Sequence, residues 1–222
     1  MTYSKQEYII TLMKTIALSA IAEIFTGIVL PKSKNEFEES PFDKIPKTKY
    51  RIINISDIDN DGDILKSLME MKLDSSERIE KYSVKYGDIL ISSRGTRLKT
   101  AVVPISIKDN TLISSNLMCI RLTKDSNYPS EILNFFLRSD YGENSLKRLS
   151  SSSGGVVNLN QKVLGMLQVP HFEDRDERDK ISDAVNALIE MKSLFAEQRR
   201  TFLILEKALE AKYLEKYEDK SD

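Results

Sequence analysis

The last part of the chain limits the fold most strongly, because it contains no glycine or proline from Asp174 to Asp222. Within it, apolar or tolerant residues recur at alternating steps of four and three: Ala184, Leu188, Met191, Phe195, Gln198, Phe202, Leu205, Leu209, Lys212 and Lys216. This spacing is a heptad seam, which is typical of helices that pair with another helix. We predict one helix from about Arg175 to Lys216, roughly 60 Å long. Its far half needs a partner, because a helix of that length reaches beyond a small domain.

The preceding part of the chain has a different pattern. From about Ile16 to Pro170 the apolar runs are short, and turn-forming residues such as Gly27 and Gly87-Asp88 separate them. Such a pattern is typical of a β-rich domain with a few helices. The predicted fold class is therefore α+β, with a β-rich domain over residues 1–172 and a long coiled-coil helix over residues 173–222.

Several elements of the β-rich domain can be placed from the sequence. We predict a strand at Lys14–Leu18 that leads into a short helix capped by Ser19, and a further strand at Tyr50–Ile55. Ser130–Leu137 follows a proline and reads as an amphipathic helix. The residues that this helix would pack against the domain are Ile132, Leu133, Phe136 and Leu137.

The segment from Tyr86 to Leu122 combines three predicted strands with an excess of positive charge. Apolar runs at Ile89–Ile91, Ala101–Val103 and Leu117–Leu122 are separated by turns rich in hydroxyl groups and glycine. No acidic residue lies between Asp88 and Asp109, whereas four cations do: Arg94, Arg97, Lys99 and Lys108. A basic, hydroxyl-rich sheet edge favours a polyanion as ligand over a small metabolite.

A second acid-free stretch, from Asn144 to Phe172, has the same character. Basic residues flank a Ser-Ser-Ser-Ser-Gly-Gly segment, whose hydroxyl and backbone N–H groups suit phosphates. A solvated flexible loop is the alternative interpretation. Together the two stretches favour DNA. The candidate DNA-binding residues, all cationic or hydroxyl-bearing, are Arg94, Arg97, Lys99, Lys47, Lys49, Arg51, Lys147, Arg148, Ser151 and Ser152.

The net charge of −1 conceals a difference between the two parts of the chain. Residues 173–222 carry 10 Lys+Arg and 14 Asp+Glu, which leaves 23 and 20 of the totals of 33 and 34 for residues 1–172. The predicted β-rich domain is thus mildly basic and the predicted helix acidic, which agrees with a polyanion ligand for the domain.

Composition also limits the compartment. The single cysteine, Cys119, excludes an internal disulfide and favours a reducing environment. It lies in an apolar strand pattern, so we expect a buried, inert thiol. No segment of about 18 uncharged apolar residues exists, so we expect no membrane span and a cytoplasmic protein.

Catalytic and metal sites are not indicated. Asp57–Gly62 matches the start of an EF-hand loop, but the twelfth position is Leu68, where a bidentate carboxylate is needed. The serines lack a basic partner, since His171 is the only histidine and no G-x-S-x-G segment is present. Phosphate-binding glycine motifs are also missing from the sequence. We therefore predict no metal site, no cofactor and no enzymatic activity.

A set of short motifs is distributed over nearly the whole chain: Ile16-Ala17-Leu18 to Gly27, Arg51–Ile58 with Gly62, Gly87–Thr96, Ser115-Asn116-Leu117 with Ile120–Leu122, and Gly154-Gly155 with Val157, Leu159, Leu164 and Val169-Pro170 before Ile181. With these motifs the chain resembles the DNA specificity (S) subunit of type I restriction-modification systems. One departure is that Arg178 follows Glu177 where the family usually has glutamine.

The resemblance implies a non-catalytic protein. S subunits recognise one half of a bipartite DNA site with each target recognition domain. They recruit modification subunits that methylate adenine with S-adenosylmethionine, and restriction subunits join to form the nuclease. A usual S subunit has two recognition domains and two antiparallel helices, whereas this sequence matches one of each. The implied partners are therefore double-stranded DNA and a methyltransferase subunit, with or without a restriction subunit, and no cofactor is held by this chain.

An unpaired heptad helix also implies a symmetric partner. A two-fold homodimer would cover the seam with an identical surface. The alternative is a split specificity subunit, whose second half is a separate chain that pairs with this one. The residues expected at this interface are apolar and share the seam: Leu188, Met191, Phe195, Phe202, Leu205 and Leu209. Two identical domains related by a dyad would read an interrupted palindrome, with the helices as a ruler between half-sites.

Two questions stay open at the level of sequence. The Ser-Arg-Gly-Thr corner matches the family as a whole, so among the cations expected to contact DNA, Arg97 and Lys99 are better candidates for readout than Arg94. An alternative function is a protein-interaction module displayed on a coiled coil, with its basic stretches merely solvated.

Overall fold

A computed structural model describes residues 14–30, 47–74, 77–150 and 155–213 of the chain. The chain divides into two compact units, Met1–Glu173 and Asp174–Asp222. In the described residues, no helix is both long enough and apolar enough to cross a membrane.

The first unit contains eleven described strands in four sheets. The strands are β1 (Thr15–Ala17), β2 (Ala22–Thr26), β3 (Lys47–Ile53), β4 (Met69–Asp74), β5 (Ile89–Ser92), β6 (Arg94–Gly95), β7 (Thr100–Val102), β8 (Thr111–Ile113), β9 (Leu117–Leu122), β10 (Val157–Asn158) and β11 (Gln168–Pro170). The largest sheet has the order β2-β9-β5-β7 and the next has the order β4-β3-β8. Two-stranded ribbons join β1 to β11 and β10 to β6.

The described helices are five short ones in the first unit and a long one in the second. They are α1 (Leu18–Ile21), α2 (Glu77–Glu80), α3 (Ser130–Arg138), α4 (Asp140–Leu149), α5 (Gln161–Gly165) and α6 (Arg175–Tyr213). Two 3₁₀ turns lie at Ile55–Asp57 and Lys124–Ser126. The predicted α+β class, with β-rich architecture and a long C-terminal helix, is confirmed.

The strands predicted between Tyr86 and Leu122 form the middle of the largest sheet. β5 pairs with β9 on one side and with β7 on the other, antiparallel in both cases. All four side chains of β5 are buried, which explains its continuous apolar run without alternation. Cys119 on β9 lies in this core, and burial raises the pKa of its thiol well above the usual value. The predicted buried cysteine is confirmed.

Helix α3 packs on β7 and buries the four side chains predicted from its periodicity: Ile132, Leu133, Phe136 and Leu137. At the other end of the unit, the predicted Ser19 cap is wrong. Helix α1 begins at Leu18, its cap position is Ala17, and no side chain caps it. The preceding strand is shorter than predicted because Leu18 already turns into the helix.

Gly27 connects the two larger sheets by close backbone approach. Its N–H donates to the carbonyl oxygen of Leu117, and the next residue, Ile28, donates to that of Ile113. A Cβ atom at position 27 would lie 2.2 Å from the Ile113 oxygen. Only glycine fits there, and its position fixes the turn between β8 and β9.

A buried ion pair locks the largest sheet at one end. Arg121 on β9 donates to Asp88, just before β5, from Nε to Oδ1 at 3.0 Å and from Nη2 to Oδ2 at 2.6 Å. Arg121 Nη2 also donates to the Ser83 carbonyl, and the Lys85 N–H donates to Asp88 Oδ2. The guanidinium lies 5.2 Å from the ring centroid of Phe25 on β2. The Asp88 carboxylate raises the pKa of Arg121.

We expect Asp88→Ala to lower the free energy of unfolding by about 3 kcal/mol, because it leaves a largely buried guanidinium without its counter-charge. The side chains of Asp88 and Arg121 are only 4% and 21% exposed. Denaturant unfolding of the full chain measures the difference. The matched control is Glu173→Ala, which removes an exposed pair with Lys14 and should leave stability unchanged within error. Equal losses in the two variants would contradict the assigned role of Asp88.

Candidate nucleic-acid interface

The β6–β10 ribbon joins the two acid-free stretches of the sequence. Arg94 lies opposite Asn158, and Gly95 lies opposite Val157. Directly opposed residues share one face of a ribbon. Arg94 and Asn158 are both exposed, whereas Val157 is buried. The ribbon therefore presents an arginine and an asparagine to solvent side by side.

Arg97, three residues further on, is paired with a carboxylate. Its Nε lies 3.2 Å from Oε1 of Glu143 on α4, although 76% of the Arg97 side chain is exposed. The second oxygen of Glu143 lies 3.9 Å from Nζ of Lys147. One carboxylate thus partly neutralises two of the predicted DNA-binding cations. Glu143 comes immediately before the second acid-free stretch, and the fold places it against the first.

Lys99 is committed to the protein's own backbone. Its Nζ donates to the carbonyl oxygens of Ile55 and Ile58, which belong to the 3₁₀ turn after β3 and the residue that follows it. The Lys99 N–H also donates to Ser92 Oγ. The ammonium therefore holds this turn against the largest sheet.

Arg138, at the end of α3, also donates to backbone carbonyl groups near this turn. Its guanidinium donates to the carbonyl oxygens of Thr100 and Asn60. Together with neighbouring charged residues it lines a cleft of about 100 Å³ whose walls are Asp59, Asn60, Arg97, Leu98, Lys99, Arg138 and Glu143. The cleft mixes both signs of charge, and its cations are already bonded, so it offers no strong anion site.

The remaining predicted cations are distributed over other surfaces. Lys49 pairs with Glu70 on the neighbouring strand, and this contact lowers the pKa of Glu70. Lys47 and Arg51 lie on the same strand, β3, in a different sheet from the ribbon. Arg148 donates to Ser145 Oγ and lies 5.9 Å from the ring centroid of Tyr141.

Ser151 and Ser152, also predicted to contact DNA, lie outside the described residues. The structure therefore brings Arg94 beside Asn158, and it brings Arg97 and Lys147 to Glu143. It does not gather all the predicted cations on one face.

In the acidic turn at residues 57–63, the carboxylates of Asp57 and Asp59 accept hydrogen bonds from nearby backbone N–H groups. Asp57 Oδ2 accepts from the Asn54 N–H, and Asp59 Oδ1 accepts from the N–H groups of Asp61 and Asp63. Instead of the helix that opens an EF-hand, strand β3 and a 3₁₀ turn precede this loop. These carboxylates stabilise a turn.

The second unit presents an apolar face along α6, which is 39 residues and roughly 58 Å long. The six seam residues, Leu188, Met191, Phe195, Phe202, Leu205 and Leu209, are each 45–64% exposed. At the start of the helix, Asp174 Oδ1 accepts from the Asp176 N–H. Its first turn carries Asp176 and Glu177, whose negative charges suit the positive end of the helix dipole.

Residues 12–201 match the family described as "Type I restriction modification DNA specificity domain". The chain belongs to this family. The family resemblance in the sequence is thereby confirmed, and the β-rich unit and part of α6 both lie within the matched range.

Solved structures show the same fold at low identity. One comes from a study of complex assembly and conformational transition in a type I restriction-modification system: 21% identity, TM-score 0.57, covering 88% of this chain and 48% of that one. Another is the HsdS subunit of Thermoanaerobacter tengcongensis, with 21% identity and a TM-score of 0.51, where the match covers 89% of this chain and 48% of that one. A third is the type IIG restriction endonuclease BpuSI, with 12% identity and a TM-score of 0.54, where the match covers 81% of this chain and 27% of that one. The chain spans about half the length of the first two. No curated protein matches it.

Sequence reasoning missed two residues that organise this region, Glu143 and Arg138. The spacing of Glu143 and Lys147 on one helix indicates their i,i+4 contact. The contacts of Glu143 with Arg97, and of Arg138 with Asn60, join residues that are far apart in sequence. They leave no local signal.

We expect Lys99→Met to reduce the free energy of unfolding by roughly 1–3 kcal/mol, because two carbonyl groups lose their charged donor. Urea unfolding of the full chain measures this loss. Lys108→Met is the matched control, since Lys108 is exposed and lies outside this turn. If both variants unfold at the wild-type urea concentration, Lys99 has no structural role.

Proposed function

We propose that the protein reads one half of a two-part DNA site and acts as a symmetric homodimer, within a complex whose methyltransferase subunit supplies the chemistry. The family match over residues 12–201 is the observation that carries the DNA-reading part. The β-rich unit would bind the half-site, and the long helix would set the spacing.

The exposed seam of α6 supports the homodimer. Six large apolar side chains along one side of a helix are unfavourable in water, and burial would stabilise them by about 25 cal/mol per Å². This chain matches 48% of the HsdS subunit that it resembles in fold, and two copies would together match the length of such a subunit. If the helices pair antiparallel, their midpoint lies near Phe195–Gln198.

In the proposed function, this chain contributes no catalytic group of its own. It would recruit a methyltransferase subunit, which would bind S-adenosylmethionine and modify adenine in the recognised sequence. A restriction subunit that joined this assembly would add nuclease activity, and without one the complex would only methylate.

Light scattering of the full chain tests the dimer, and we expect twice the 25.4 kDa of one chain. The double variant Phe195→Asp with Phe202→Asp should have a dimer dissociation constant at least about tenfold higher, because pairing would bury two carboxylates of each chain in an apolar seam. The control is Arg200→Asp, whose helical position lies away from the seam. A wild-type chain of 25.4 kDa at micromolar concentration would contradict the homodimer and indicate a separate second half.

Methylation mapping in a cell that carries this chain and its modification subunit tests the DNA-reading part. We expect an interrupted palindrome, because two identical domains related by a dyad read the same half-site in opposite orientations. A motif with two different halves would rule out the homodimer. The absence of any motif that depends on this chain would rule out the proposed function itself.

A further inference from the structure

Arg94 differs from the other cations of its acid-free stretch that lie near the ribbon. Arg97 is paired with Glu143, and Lys99 donates to backbone carbonyls. Among the described residues, no side-chain hydrogen bond, ion pair or ring contact engages the Arg94 guanidinium, and the residue is exposed. Its charge is therefore available to a ligand without breaking a contact.

Ser93 holds three segments side by side around Arg94. Its N–H and its hydroxyl both donate to the carbonyl oxygen of Asn116, at 2.9 and 3.1 Å. On the other side, the Ser93 carbonyl accepts from the Leu159 N–H at 2.8 Å. The turn between β8 and β9, strand β6 and the end of strand β10 are thus joined side by side by hydrogen bonds. Each carries one exposed polar residue, and we call these three residues the Arg94 surface: Arg94, Asn116 and Asn158.

The composition of this surface suits a nucleic acid. Asn116 and Asn158 are exposed, and like Arg94 their side chains make no hydrogen bond within the described residues. The three contributing segments, residues 92–98, 114–117 and 155–162, contain no aspartate or glutamate. An isolated guanidinium binds phosphate, whereas asparagine amides pair with base edges, above all with adenine in the major groove.

We propose that the Arg94 surface is the part of the domain that lies against double-stranded DNA, with Arg94 on a phosphate and the amides of Asn116 and Asn158 on base edges. This rests on the proposed function and adds to it the element that meets the DNA. It differs from the sequence-based preference for Arg97 and Lys99, whose charges the fold already uses. The division of roles follows from chemistry, since a phosphate contact positions the domain and an amide contact discriminates bases.

The experiment uses the full chain and a labelled pool of duplexes with a randomised centre, with affinity measured by fluorescence anisotropy and the preferred motif by selection and sequencing. We expect Arg94→Ala to weaken DNA binding at least about fivefold. The slope of log K against log salt concentration should become less steep by about 0.9, as for one lost phosphate contact. The motif should stay as in the wild type. For Asn158→Ala and Asn116→Ala we expect lost discrimination at one or more positions of the motif.

Lys108→Ala is the matched control. It removes an exposed cation from the same acid-free stretch, but Lys108 precedes β8 whereas Asn116 follows it, so the two lie at opposite ends of that strand. Its affinity and motif should equal those of the wild type. All four substitutions are at exposed positions, and thermal unfolding verifies that each variant is folded.

The outcomes separate this inference from the proposed function. If the wild-type chain selects a motif and the three Arg94-surface variants behave like Lys108→Ala, the inference is wrong and the proposed function stands. If Asn158→Ala and Asn116→Ala both keep the wild-type motif, the base-edge roles are wrong. If the wild-type chain binds no duplex at low salt, the proposed function fails first.

Discussion

The Asp88–Arg121 ion pair determines how the strands of the largest sheet are aligned. It joins the residue before β5 to a residue of β9, and Arg121 also lies over Phe25 of β2. A shift of one residue between β5 and β9 would change which buried side chains of the two strands meet, since all four side chains of β5 are buried. It would also leave Asp88 and Arg121 without their charged partners inside the domain. Alignment and charge neutralisation therefore depend on each other.

The same alignment determines the position of the Arg94 surface. β5 and β9 run antiparallel from the ion pair at one end to Ser92 and Leu117 at the other. Immediately beyond this end, Ser93 binds Asn116 and Leu159 through backbone groups. The exposed Arg94 and Asn158 follow from that arrangement. The strand alignment that brings Asp88 to Arg121 at one end is thus the same one that places Ser93 against Asn116 at the other.

Much of the architecture could be predicted because it depends on local patterns of apolar residues. Three of the five strands between Tyr86 and Leu122, the buried face of Ser130–Leu137 and the long helix all follow from the spacing of apolar residues. The availability of individual cations could not be predicted. An acid-free stretch of sequence becomes an acid-free surface only if the fold inserts no carboxylate from elsewhere, and here Glu143 reaches Arg97 across 46 residues of sequence. Lys99 is likewise used by carbonyl groups that come from a distant turn.

The two faces of the β6–β10 ribbon have different consequences for how such a protein can change. Val157 faces the interior and is tied to the core, whereas Arg94 and Asn158 project outward from the same two strands. Side chains at these outward positions can be exchanged without repacking anything beneath them. Sequence divergence at this surface is therefore decoupled from thermodynamic stability. A lineage could alter what the surface contacts, one substitution at a time, while every intermediate remained folded.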